Sequence, residues 1–225
     1  MIIAIAGGKG GVGKSTVALN LAAVTGGVLV DGDLTMADLP RSSGPTLHDV
    51  LAGETPPVQA VRTDPALPVR LLPCGHSLSG ARAADPRVLP ETLDAIEARY
   101  GSVIVDTPSG LRADAGLPLY AADACILVTT EETATLADTM RTRALARELD
   151  CGLLRIVLNH ARPPVETSAI HDTLGAPVIP IPTAPPVAEA MEHGLPVGAV
   201  APGHEAVTAF ETIGEAVQSF SSCRS

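Results

Sequence analysis

The chain is poor in aromatic residues: its 225 residues include two Phe, two Tyr and no Trp. A core must therefore be filled by Val, Leu, Ile and Ala. Lysine is almost absent. Only Lys9 and Lys14 occur, five positions apart near the start, against thirteen arginines. No apolar run is long enough to cross a bilayer, which needs roughly 18–20 residues. The longest uncharged stretches, residues 15–30 and 173–188, span 16 residues each. Asn20 and a glycine pair break the first, and five prolines interrupt the second. Cysteine is scarce, and Cys74, Cys125, Cys151 and Cys223 show no C-x-x-C spacing. That argues against a structural zinc site or an iron–sulfur cluster and fits a reducing cytosol. The six histidines show no H-x-x-x-H or H-E-x-x-H spacing, which argues against metal ligation by them. No basic leader precedes the first apolar residues, which run into glycines, so no export signal is read and a cytoplasmic location is expected.

Net charge is −10. Such a chain repels DNA and anionic lipid at long range, so direct DNA binding is not expected. A lysine-poor, acid-rich surface suggests a high-salt cytoplasm, although a GC-rich genome favouring arginine codons gives the same depletion. Lysine remains only where function most plausibly demands it.

Short apolar runs recur without polar alternation: Ile2–Ala6, Val28–Val30, Val69–Leu72, Val103–Val105, Cys125–Val128, Leu153–Leu158 and, more weakly, Val178–Ile179. Such runs fit strands buried on both faces. Between them lie helical patterns at Ser15–Thr25, Thr46–Leu51, Pro90–Arg99, Ala113–Ala121, Thr133–Leu149, Glu166–Thr173, Ala184–Glu192 and His204–Phe220. The alternation predicts one α/β domain over residues 1–225: a doubly wound, mostly parallel sheet of about seven strands with helices on both faces. The proline-rich stretch Pro40–Pro68 reads as a surface excursion with one short helix.

The most specific segment is Gly7-Gly8-Lys9-Gly10-Gly11-Val12-Gly13-Lys14-Ser15-Thr16, between the first strand and what reads as an amphipathic helix. Gly8, Gly13, Lys14 and Ser15 satisfy G-x-x-x-x-G-K-[ST], the phosphate loop of P-loop NTPases. Glycines let successive N–H groups turn inward, and the helix N-terminus adds positive potential. Lys14 would reach the β- and γ-phosphates, and the Ser15 hydroxyl would ligate Mg²⁺. An apolar strand ending in Asp106 is the Walker B arrangement, whose carboxylate holds Mg²⁺-bound water. Asp31 and Asp33 end the second strand, facing the ligand crevice of an open sheet.

With Lys9 inside the glycine run, KGGVGKST resembles the deviant Walker A motif of the MinD/ParA family of ATPases. Asp31-Gly32-Asp33 resembles the family's switch I, and Asp106-Thr107-Pro108-Ser109-Gly110 its D-x-P-x-G switch II. Leu72-Pro73-Cys74-Gly75 resembles the L-P-x-G after the third strand. The resemblance runs from Met1 to about Val200, most specifically over the first 110 residues. It implies ATP and Mg²⁺ as cofactors, slow hydrolysis, and a homodimer in the ATP state. Lys9 is then the lysine that crosses to the partner's phosphates, and Asp33 orients the attacking water, so the implied catalytic set is Lys9, Lys14 and Asp33. The nucleotide would be held by Gly8, Gly10, Gly11, Val12, Gly13, Lys14, Ser15 and Thr16. Gly110 would sense the γ-phosphate, Asn159 would read adenine, and the loop at Pro182 would flank the base. The implied Mg²⁺ shell is Ser15, Asp33, Asp38 and Asp106. Asp38 stands where MinD-like sequences usually have Asn, a departure that would let it hold a metal-bound water or touch the partner.

The last helix discriminates among roles. Val207, Phe210, Ile213, Val217 and Phe220 form an apolar face, opposite Glu205, Glu211, Glu215 and Gln218. A membrane-surface helix carries cations on its polar face, so this one is expected to pack on the sheet. The expected role is a spatial-organisation or partner-regulating ATPase, with an unidentified activator or cargo. The alternatives are a ParA-like DNA partitioning ATPase, an iron–sulfur carrier and an inactive nucleotide-holding scaffold.

Overall fold

A computed structural model describes residues 1–34, 44–64, 67–110 and 113–224. The strands are β1 (Ile2–Ala6), β2 (Val28–Asp31), β3 (Arg62–Asp64), β4 (Leu67–Leu72), β5 (Val103–Asp106), β6 (Ala124–Thr129), β7 (Gly152–Ala161) and β8 (Val178–Pro182). The α-helices are α1 (Lys14–Thr25), α2 (Leu47–Leu51), α3 (Pro57–Ala60), α4 (Leu78–Ala83), α5 (Leu89–Tyr100), α6 (Ala113–Ala121), α7 (Thr133–Glu148), α8 (Ser168–Leu174), α9 (Pro185–Glu192), α10 (Val197–Val200) and α11 (Glu205–Arg224).

All eight strands form one sheet in the order β3-β4-β2-β5-β1-β6-β7-β8. Every pairing is parallel except β3 with β4. The unbroken apolar runs follow from the two covered faces. In β1, Ile3 and Ile5 join one core cluster with Leu29, Ile104 and Phe210, while Ile2 joins another with Val30, Leu93 and Val105. Neighbours in sequence point to opposite sides, and both sides are dry.

Two expectations change. Helix α1 is not amphipathic: Val17 to Ala22 are all buried, because α11 covers the side turned from the sheet. The described part of the stretch at 40–68 is no mere surface excursion with one helix. It carries α2, α3 and the edge strand β3, and Leu47, Val50, Leu51 and Ala60 are buried against the sheet. Pro57 sits in the first turn of α3, where a missing N–H costs nothing, so proline there marks a helix start. Helix α11 packs as its apolar face requires, with Phe210, Ile213 and Val217 buried beside α1. Among the described residues, no helix is long and apolar enough to cross a membrane.

Candidate functional site

The site lies where the strand order reverses, at the C-terminal ends of β1, β2 and β5. Strand β1 delivers the chain into the glycine loop. Gly11 and Gly13 hold φ of 77° and 95°, a region costly for any residue with a Cβ. Gly13 is the N-cap of α1, so the loop ends on a helix N-terminus with its unsatisfied N–H groups. Lys14, only 8% exposed, begins that helix. Gly8 meets helix α7 backbone to backbone: a Cβ there would fall 2.2 Å from the Asp138 carbonyl carbon. The Asn159 amide Nδ2 donates to the Val12 carbonyl at 2.8 Å and ties the loop to the end of β7.

Register brings the acids together. Asp31 of β2 lies beside Asp106 of β5, and Ile5 of β1 flanks Asp106 on its other side. The Gly32 N–H donates to the Asp106 carbonyl at 2.9 Å, carrying the pairing one residue further. Asp33 and Asp106 then face a cavity of about 310 Å³ with Gly10, Gly11, Gly13, Lys14, Ser15 and Thr16. One ammonium, the Ser15 and Thr16 hydroxyls and two carboxylates around a glycine loop suit a polyphosphate with a hard cation.

Asp31 is almost wholly buried, and its Oδ2 has no hydrogen-bond partner. Burial, and then the charge of Asp106, push its carboxyl up to about 8, against smaller lowering by the N–H groups of Asp33 and Cys74. Between the ordinary value of 3.8 and about 8, the folded protein therefore binds a proton that the unfolded chain releases. Stability from this group falls as pH rises through that window. The metal-free Asp31→Asn variant should accordingly gain thermal stability relative to wild type from pH 5 to pH 8. Melting curves that stay parallel across that range would contradict this.

A family model for the CobQ/CobB/MinD/ParA nucleotide binding domain matches residues 3–197. The chain belongs to that family. An uncharacterized ATP-binding protein of Methanocaldococcus jannaschii is 32% identical over 94% of this chain and 85% of its own. The cell division ATPase MinD of Pyrococcus furiosus superposes with a TM-score of 0.89, at 33% identity over 97% of this chain and 98% of that one. The septum site-determining protein MinD of Pyrococcus horikoshii, complexed with Mg-ADP, gives a TM-score of 0.90 at 31% identity over 100% and 98%. The MinD/ParA resemblance read from the loop is thereby shown, and with it the mostly parallel P-loop fold.

Against the residues expected for a MinD/ParA site, the phosphate cavity gathers Gly10, Gly11, Gly13, Lys14, Ser15, Thr16, Asp33 and Asp106. Gly8 and Val12 belong to the same loop but do not line it. Gly110 follows β5 with φ of 91°. Pro182 ends β8 paired with Ala161, two residues beyond Asn159. Asp38 lies outside the described residues. Lys9 lines an adjoining cavity of about 380 Å³, where its Nζ meets Glu132 Oε2 at 3.3 Å. Three further residues line the phosphate cavity: Thr107, Ser109 and His160. Thr107 and Ser109 sit inside the switch II motif and were legible from it. His160 lies within β7, at its irregular end, with a positive φ of 56°, a conformation no sequence pattern announces.

Proposed function

We propose that residues 1–225 act as a single Mg²⁺-dependent ATPase domain that dimerises on ATP, hydrolyses it slowly and so switches a protein partner in the cytoplasm. The observation that carries this reading is the division of the two lysines. Lys14 lines the phosphate cavity, whereas Lys9, on the same loop, lines the neighbouring cavity, half exposed and paired, among the described residues, with the solvated Glu132. An ion pair that exposed stabilises little, so Lys9 is readily released toward a second subunit.

The roles follow from position. Lys14 and the loop N–H groups neutralise the phosphates. Asp33, at the mouth of β2, orients the attacking water. Ser15 and Asp106 would hold Mg²⁺, which would supply positive charge against the phosphates. Phosphoryl transfer needs placement and charge neutralisation more than covalent chemistry, and this set supplies both. Lys9 from the partner would complete the cation set only in the dimer. The net charge of −10 favours a protein partner over DNA.

Sedimentation of the wild-type protein tests the reading. A shift from monomer with Mg·ADP to dimer with Mg²⁺ and a non-hydrolysable ATP analogue is expected. A single monomeric species in both would reduce the protein to a nucleotide binder.

A further inference from the structure

The residues around Asp33 include one buried side chain with no part in the chemistry above. His48 on α2 is 2% exposed. Its Nε2 lies 3.1 Å from the Leu34 carbonyl and 3.3 Å from Cys74 Sγ. A carbonyl oxygen only accepts, so Nε2 carries the proton and donates to Leu34. Nδ1 is buried and has no hydrogen-bond partner among the described residues. Room for the ring exists because residue 75 is glycine: a Cβ there would fall 2.2 Å from Nδ1. A half-satisfied buried imidazole costs free energy that an apolar side chain of similar volume would avoid.

The helix bearing it is firmly seated. The Thr46 N–H and hydroxyl donate to Asp49 Oδ2 at 2.7 and 2.8 Å, closing a capping box, and the Leu47 N–H donates to Pro73 at the end of β4 at 2.8 Å. Leu47, Val50 and Leu51 anchor it in the core. On the other side of the contact, the Asp33 N–H donates to Asp31 Oδ1 at 3.3 Å. Asp33 is thus bracketed: its own N–H is held by β2, and the next residue's carbonyl is held by α2.

We propose that His48 is a positioning residue for Asp33, its Nε2–H clamping Leu34 to α2 so that the chain leaving β2 holds the carboxylate on the phosphate cavity. This rests on the reading of Asp33 as the water-orienting group. Cys74 does not compete for the clamp: burial and the Asp31 charge push its thiol up to about 12, so it stays neutral. A carboxylate that aims a water must be placed within about half an ångström, and one backbone hydrogen bond is the scale of constraint that decides this.

The test combines His48→Leu, His48→Asn (which keeps an amide but is too short to reach Leu34) and His48→Gln (whose amide nitrogen spans about the Nε2 distance). Thermal melts check that each folds, and His48→Asn serves if the leucine variant does not. Hydrogen exchange at the Asp33 and Leu34 amides should accelerate in the leucine and asparagine variants, and kcat should fall about 3- to 10-fold with little change in nucleotide affinity. Glutamine should restore much of both. In an Asp33→Ala background the same substitutions should cost no further kcat. Unchanged exchange would show that no clamp exists, whatever Asp33 does. Faster exchange with unchanged kcat would overturn the proposal, because the clamp would then not place the carboxylate, whereas an Asp33→Ala variant with wild-type kcat would remove Asp33 from the chemistry. An equal kcat loss in the Asp33→Ala background would overturn the proposal by showing that His48 acts through the fold alone.

Discussion

Asp33→Ala should bind Mg·ATP about as well as wild type yet turn it over about 100-fold more slowly or worse. The carboxylate faces the same cavity as Lys14 and Asp106, but it reaches that cavity from β2, across from the glycine loop. Removing it takes away none of the loop N–H groups, Lys14 or Ser15, so affinity should be largely spared. On the proposed reading, what is lost is the group that aims a water along the line of displacement. Ground-state binding and turnover therefore separate, which distinguishes this residue from Lys14, whose loss would weaken both. Single-turnover phosphate release alongside equilibrium nucleotide binding reads the two quantities independently. Equal turnover in variant and wild type would mean that another group places the water.

The second large effect is expected from Lys9→Ala. A charge-assisted contact across a dimer interface changes the equilibrium by about 10- to 150-fold. Each symmetric dimer holds two such contacts, so assembly with a non-hydrolysable ATP analogue should weaken severely while the single subunit still binds nucleotide. The ion pair broken on release, Lys9 with Glu132, is exposed on both sides and opposes the transfer only weakly. Glu132→Gln serves as the control: it removes the resting partner of Lys9 without touching the phosphate cavity and should leave assembly intact or strengthen it. Sedimentation of Lys9→Ala indistinguishable from wild type would place Lys9 outside the interface.

What could be read in advance depended on how local its cause was. The loop at residues 7–16 is contiguous, and the chemistry of phosphate needs those residues in that order, so the six loop residues that line the cavity were legible. Strands β1, β2, β5 and β6 were legible because both faces are buried and polar residues stand only at their ends, as Asp31, Asp106 and Thr129. Strand β3 was not: Arg62-Thr63-Asp64 pairs on one edge only, so nothing forces it to be apolar. Helix α4 buries no side chain, and Leu78 on it is 81% exposed, so it leaves no periodic trace. The supporting contacts were hidden by distance along the chain. His48 and Leu34 are 14 residues apart, Lys9 and Glu132 are 123 apart, and Asn159 and Val12 are 147 apart. Only the folded sheet brings such partners together.

The closeness of Gly8 to Asp138 has a mechanical meaning. Helix α7 is a rod of 16 residues, about 24 Å long. The glycine loop rests on it at two places, through Lys9 on Glu132 just ahead of its first turn and through Gly8 on the peptide of Asp138. With no side chain between them to flex, a shift in the loop cannot leave the rod where it was. The outer flank of that rod, with Met140 and Arg141 in water, is therefore geared to whatever the loop is gripping.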